Sequence, residues 1–326
     1  MKYINKIGAL ILIIGCLFLS ACGVAEVADK FDYSRISASG NPSNDYIDTK
    51  ISFLSDGLCV TDSNDIDNPD INPVYIEAAG VFNVSTKEVV YAHHLFDKNY
   101  PASTTKIMTA YLALKYGNLD DYVTVSKEAC NLPSGASTAG LTPGDVISVR
   151  DLLYGLILVS GNDSAICLAE YISGSVEAFA DLTNEELNKI YATSTHFVNP
   201  NGIHADNHYT SCYDLYLIFN EALKNPVFLD LINTVKYEAT VTHKNGEEGV
   251  LKYKTTNKFL SNEASYPASY SIVGGKTGTT FDAGKCLVLL TINGKGEQVI
   301  FITLGADSKE RLYDFMEEMM RGVEAK

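Results

Sequence analysis

Strand-patterned segments stand at both ends of this chain, with a long helical stretch between them. Residues 73–94, "PVYIEAAGVFNVSTKEVVYAHH", hold two β-rich runs around the turn-like "NVSTKE", the pattern of a hairpin. Near the other end, "SYSIVGGKTGTTF", "GKCLVLLTING" and "GEQVIFITLGA" read as three successive antiparallel strands, with "NGKG" as a tight turn. Residues 118 to about 235 instead carry apolar side chains at helical spacing, as in "SVRDLLYGLILVS" and "NDSAICLAEYIS". "SKERLYDFMEEMMRGV" closes the chain as an amphipathic helix with Leu312, Phe315, Met316 and Met319 on one side. The expected class is α+β: a sheet built from both chain ends, with a helical lobe inserted between.

The first 21 residues have a different character. Lys2 and Lys6 precede the short apolar run "IGALILIIGCLFL", the pattern of a secretory signal rather than a spanning helix. Leu19-Ser20-Ala21-Cys22 resembles the lipobox of bacterial lipoproteins, in which cleavage leaves the cysteine as an acylated N-terminus; the alternative is a plain signal peptide cut near Ala21. Residues 22–70, rich in Ser, Asp, Asn and Gly, are expected to be a tether and entry segment, and residues 71–326 the functional domain. Loss of the leader leaves 23 basic against 40 acidic residues, a formal −17, which excludes nucleic acid and electrostatic docking on anionic lipid. A lipid at Cys22 would hold such an acidic protein at a membrane. Beyond the leader lie Cys59, Cys130, Cys167, Cys212 and Cys286, an odd number without C-x-x-C spacing, so few disulfides are expected.

Chemistry concentrates in three short motifs. In "YPASTTKIMTA", Ser103 and Lys106 are three apart at the start of a helical run and so share a face. The unpaired N–H groups of a helix start can face a developing oxyanion, and its positive end favours a neutral lysine. Serine needs such a base to become a nucleophile. Alone, the pair would equally describe a capping serine with a solvated lysine. Two further motifs agree with it: Ser160-Gly161-Asn162 at the junction of two helical runs, and Lys276-Thr277-Gly278 in a glycine-bracketed strand. The ordered set S-x-x-K, S-x-N, K-T-G is that of penicillin-binding proteins and class A β-lactamases.

With "GLTPGDVISVRDLLYGLILVSGNDSA", "THFVNPNGIHADNHYTSCYDL" and "GGKTGTTFDAGKCLV", the chain resembles the D-alanyl-D-alanine carboxypeptidases, low-molecular-mass penicillin-binding proteins, over roughly residues 76 to 311. The resemblance implies a β-lactamase/transpeptidase-like fold, a five-stranded antiparallel sheet with helices on both sides and a helical lobe. It implies that Ser103 attacks the D-Ala-D-Ala peptide bond, that Lys106 accepts its proton, and that Ser160 relays a proton to the leaving D-alanine. Asn162 would orient the peptide and Lys106, and Lys276 would supply positive charge. Thr277, Gly278 and Thr279 would lie along the substrate, and the N–H groups of Ser103 and Thr279 would form the oxyanion hole. Arg311, 35 residues past Lys276, falls where the family carries an arginine associated with the terminal carboxylate. The implied partners are the peptidoglycan stem pentapeptide and, as covalent inhibitors, β-lactams. No cofactor or metal is implied, and the location would be extracytoplasmic, lipid-anchored or otherwise secreted.

Two rival readings belong to other classes: a catalytically weak penicillin-binding or sensing lipoprotein, and a class A-like β-lactamase. Gly161 in the middle motif favours the carboxypeptidase. "TNEELN" (183–188) places Asn184 where a β-lactamase would need its deacylating glutamate, so that match is accidental. His204 and His208 flank Asp206 in a loop without an obvious third ligand, and His93, His94 and His243 are expected at the surface.

Overall fold

The computed structural model describes residues 55 and 57–324. The leader, Cys22 and most of the expected tether lie outside the described residues. Residues 58–70, assigned above to the entry segment, pack on the main body: Cys59 N–H donates to the Tyr216 hydroxyl, and Ile66 pairs with Ala92.

A five-stranded antiparallel sheet runs in the order β2-β1-β9-β8-β7. It comprises β1 (Ala78–Asn83), β2 (Glu88–His93), β7 (Ser271–Thr280), β8 (Gly284–Ile292) and β9 (Gln298–Ala306). The two chain ends therefore meet at the β1–β9 seam, where Gly80 faces Ile302. Successive side chains of a strand point to opposite faces, and here both faces are covered. Leu287, Leu289 and Phe301 pack on Leu312, Phe315, Met316 and Met319 of the last helix, while Val288, Leu290, Ile300 and Ile302 join the core under the other helices. Covering both faces explains why β8 and β9 read as continuous apolar runs rather than alternating ones.

Among the described residues, seven α-helices surround the sheet: α1 (Lys106–Tyr116), α2 (Val149–Leu158), α3 (Asn162–Ser173), α4 (Val176–Lys189), α5 (Cys212–Ala222), α6 (Pro226–Asn233) and α7 (Lys309–Glu324). Serine or asparagine side chains cap α2, α4, α5 and α6 by accepting backbone N–H bonds. The region expected to be helical from 118 to 235 also holds β3 (Tyr122–Thr124) and β4 (Val146–Ser148). With β5 (Lys236–Thr242) and β6 (Glu248–Lys254) they form a second sheet, ordered β3-β4-β5-β6.

The C-terminal end of α1 is anchored to α4 through one buried carboxylate. Glu186 is 0% exposed and accepts from Lys115, from Lys189 at 2.7 Å and from the Tyr116 hydroxyl at 2.6 Å. Burial pushes its carboxyl up, but these three donors outweigh burial and bring it down to about 2. A carboxyl so depressed stabilises the fold fully above the ordinary carboxylate range and loses that contribution as pH falls toward 2. Glu186→Gln should therefore lower stability at neutral pH by about 2 to 3 kcal/mol, allowing for solvent around the lysines. Urea melts between pH 2 and 6 check it: the variant should lose less stability on acidification than the parent, and parallel curves would refute the assignment.

Candidate active site

The edge strand β7, the loop between α2 and α3, and the turn that opens α1 converge on one cleft. Residues 102–105 form a single 3-10 turn before α1, so Ser103 sits one turn ahead of the helix and Lys106 is its first residue. Ala102 and Ser160 both adopt positive φ, +46° and +59°, a strained backbone for non-glycine residues that clusters at functional sites. The cleft has a volume of about 290 Å³ and is lined by Ser103, Ser137, Ser160, Thr277 and Thr279, among others.

Lys106 is fully buried, and its Nζ lies 2.9 Å from Ser103 Oγ, 2.9 Å from Asn162 Oδ1 and 2.6 Å from the Asn201 carbonyl. Two of these partners can only accept. A neutral amine has two N–H bonds, which those acceptors consume, and its remaining lone pair then faces the Ser103 hydroxyl. Burial, followed by the charge of Lys276, lowers the Lys106 pKa well below the ordinary lysine range, a shift in the direction of the neutral form. Asn162 is held in this orientation by its own Nδ2–H bond to the Ser137 carbonyl, 3.0 Å.

Lys276 is equally buried and donates to Ser160 Oγ at 2.9 Å and to the Thr277 carbonyl at 2.8 Å. Burial lowers its pKa to about 7. The two lysines thus stand behind two serines, one pair on each side of the cleft. Thr277 shares a 2.6 Å hydroxyl contact with Thr256, and Thr279 is exposed toward the opening. The backbone of Gly278 lies against the turn that carries Ser103 so closely that a Cβ there would stand 3.1 Å from Ser103 N. That proximity brings the strand's end beside the Ser103 amide.

Among the expected site residues that the structure describes, Arg311 is the one whose side chain is held away from the cleft. Its guanidinium donates to the Val74 carbonyl at 3.1 Å, to Glu318 at 3.2 Å and to the Asn72 carbonyl, and it lies over the Phe315 ring. Arg311 ties α7 to residues 72–74 and does not line the cleft.

Several residues that position the site have no such role in the sequence analysis, where His208 is weighed only as a metal ligand. Asn201 acts through its backbone carbonyl, which no motif can show. His208 is 2% exposed; its Nδ1 accepts from Val198 N–H at 3.1 Å, which leaves Nε2–H to donate to Thr105 Oγ1 at 2.8 Å. Both ring nitrogens are committed, so His208 is a tie between the 196–209 loop and the catalytic turn rather than a metal ligand. The density of Asn, Gly and His in that loop was the available signal. Asn184 also serves structure, donating to the Ala180 and Phe197 carbonyls and accepting from Phe197 N–H. Asp65, His93 and His94 bring three potential metal ligands within 4.8 Å of one another near β2, at the other edge of the sheet. The imidazoles stack face to face at 4.1 Å, so their in-plane lone pairs run side by side rather than converge on one ion. A larger cavity of about 700 Å³, lined by Asn83, Lys87, Glu88 and Tyr270 among others, brings no serine to a base.

Comparison with known proteins points to one family. The D-alanyl-D-alanine carboxypeptidase family matches residues 68–308. The chain is 32% identical to D-alanyl-D-alanine carboxypeptidase DacF of Bacillus subtilis, over 72% of this chain and 59% of that protein. It is 34% identical to DacC of Escherichia coli, over 69% of this chain and 55% of the relative. The chain thus spans less than two thirds of the length of these two relatives. The D-alanyl-D-alanine carboxypeptidase of Streptomyces sp. strain K15 is 35% identical over 69% of this chain and 79% of its own. The crystal structure of the Streptomyces K15 DD-transpeptidase superposes with a TM-score of 0.73 and 30% identity, covering 80% of this chain and 100% of that one. With the family match running from the entry segment to the start of α7, and the serine–lysine pair in place, the chain belongs to the D-alanyl-D-alanine carboxypeptidase family of serine peptidases.

Proposed function

We propose that this protein is a serine-type carboxypeptidase that removes the C-terminal D-alanine from D-Ala-D-Ala peptidoglycan stem peptides through an acyl-enzyme at Ser103. The observation that carries the proposal is the buried Lys106 amine, with two acceptors for its N–H bonds and Ser103 Oγ at 2.9 Å on its third side. Ser103 Oγ attacks the carbonyl carbon of the penultimate D-alanine while its proton passes to Lys106 Nζ. The N–H groups of Ser103 and Thr279 receive the oxyanion. As the C–N bond breaks, Ser160 relays the proton held by Lys106 to the leaving nitrogen, which returns Lys106 to the neutral amine, with Lys276 hydrogen-bonded behind Ser160. Free D-alanine departs with that proton. Water, deprotonated by the regenerated amine, then hydrolyses the Ser103 ester. Asn162 fixes the base, and Thr277, Gly278 and Thr279 align the peptide along β7.

The proposed location is extracytoplasmic, with the chain held at the bacterial membrane by a lipid on Cys22. The lipobox-like "LSAC" supports this, and among the described residues no helix is long and apolar enough to cross a membrane. The test is a time course of intact mass for the leaderless protein with penicillin, run beside a D-alanine release assay. A persistent adduct together with D-alanine release is the expected result. An adduct without release would leave the sensing lipoprotein, and an adduct that vanishes within seconds as penicillin is consumed would leave the β-lactamase.

A further inference from the structure

An enzyme that trims one residue from a peptide end must distinguish a terminal carboxylate from a continuing chain. In a protein of formal charge −15, that requires a local cation at the cleft. Arg311 is spent elsewhere: its Glu318 partner neutralises it and two backbone carbonyls fix it. Lys106 and Lys276 are buried and hydrogen-bonded to the two serines.

Two further lysines line the same cleft as Ser103, Thr277 and Thr279: Lys285 and Lys309. Lys285 lies directly across the β7–β8 ladder from Thr279, half-buried, and on its other side pairs with Ala306 at the end of β9. Lys309 follows Ala306 by three residues and opens α7. The two side chains therefore rise from adjacent elements on one rim. Among the described residues neither has a carboxylate within 4.0 Å, and of the lysines without such a partner these are the two that line the cleft. Unpaired cations beside hydroxyl groups form a receptor for one carboxylate.

We propose that Lys285 and Lys309 hold the terminal carboxylate of the substrate, and that Arg311 is a strut between α7 and residues 72–74. The assignment rests on the carboxypeptidase reading above. Its test compares the leaderless protein on one D-Ala-D-Ala peptide in two forms, the free acid and the C-terminal amide. Lys285→Ala/Lys309→Ala should cut the acid-to-amide ratio of kcat/KM by about 10- to 100-fold, mainly through KM. Lys285→Arg/Lys309→Arg should restore most of it. Added salt should shrink the wild-type ratio but leave that of the alanine variant flat. Arg311→Ala should keep the ratio and lower the melting temperature.

A double variant with the wild-type ratio would overturn the proposal, as would an Arg311→Ala protein whose ratio collapses. If the wild-type protein released D-alanine from neither peptide, the carboxypeptidase reading itself would fail, and this assignment with it.

Discussion

Ser103→Ala should yield a folded protein that forms no adduct with penicillin and releases no measurable D-alanine, and Lys106→Ala should fall nearly as far. The serine supplies the hydroxyl that faces the Lys106 lone pair, and that hydroxyl carries the proton the amine takes at that step. Groups that act as one unit lose their whole contribution when either is removed, so each variant should cost about 10⁴-fold or more, and the double variant little beyond that. The two singles differ in what they leave behind. Ser103 is half-buried and its loss opens a small polar gap. Removing Lys106 strips Asn162 Oδ1 and the Asn201 carbonyl of their donor, at about 1 to 3 kcal/mol for each buried acceptor left unpaired. Lys106→Ala should therefore melt lower than Ser103→Ala while being no less inactive. Lys106→Arg separates charge from basicity: an arginine stays protonated and cannot accept from Ser103, so it too should be inactive. A Ser103→Ala protein that released D-alanine at the wild-type rate would remove the acyl-enzyme from the mechanism.

How much of this could be read from the chain depends on whether side chains or backbone carry the role. The roles proposed for Ser103, Lys106, Ser160, Asn162 and Lys276 belong to side chains set in motifs, and the fold brings all five together. The five-stranded sheet was legible because two-sided burial makes β8 and β9 continuous apolar runs. The second sheet was not: β3 and β4 are three residues each, and β5 and β6 present few buried apolar positions. Arg311 is turned from the cleft for reasons of helix phase. Leu312, Phe315, Met316 and Met319 turn inward on the sheet, and Arg311 shares its own side of α7 with Glu318, seven residues on, to which it is bound. That i, i+7 pairing was present in the sequence as a competing signal. The contribution of the 196–209 loop was hidden because it is made largely by main-chain carbonyls at Pro200 and Asn201.

In that loop a single methyl group should disturb the turn that carries Ser103. Gly202 has φ +78°, and a Cβ there would lie 1.9 Å from the Ala102 carbonyl oxygen and 2.8 Å from Thr105 Oγ1. Both are parts of the turn that carries Ser103, and the first is backbone, so the turn or the loop has to move. Neither is free to do so. The loop is fastened to α1 and the turn by Thr109 Oγ1 to the Pro200 carbonyl at 2.6 Å, by Lys106 Nζ to the Asn201 carbonyl, and by His208 to Thr105. Gly202→Ala therefore adds left-handed backbone strain of about 1 kcal/mol or more to a steric displacement of the catalytic turn. Stability should drop by about 2 to 4 kcal/mol, and acylation by penicillin should slow by about 10²-fold, the cost of moving a nucleophile by roughly an ångström. Thr109→Val separates the two effects, since it leaves the Pro200 carbonyl unpaired without any clash. It should lose about 1 to 3 kcal/mol of stability and much less of the acylation rate. Measured melting temperatures and acylation rates for the pair decide the matter. A Gly202→Ala protein that acylates at the wild-type rate would mean the loop relaxes away from Ala102 without disturbing Ser103, and the contact would be packing alone.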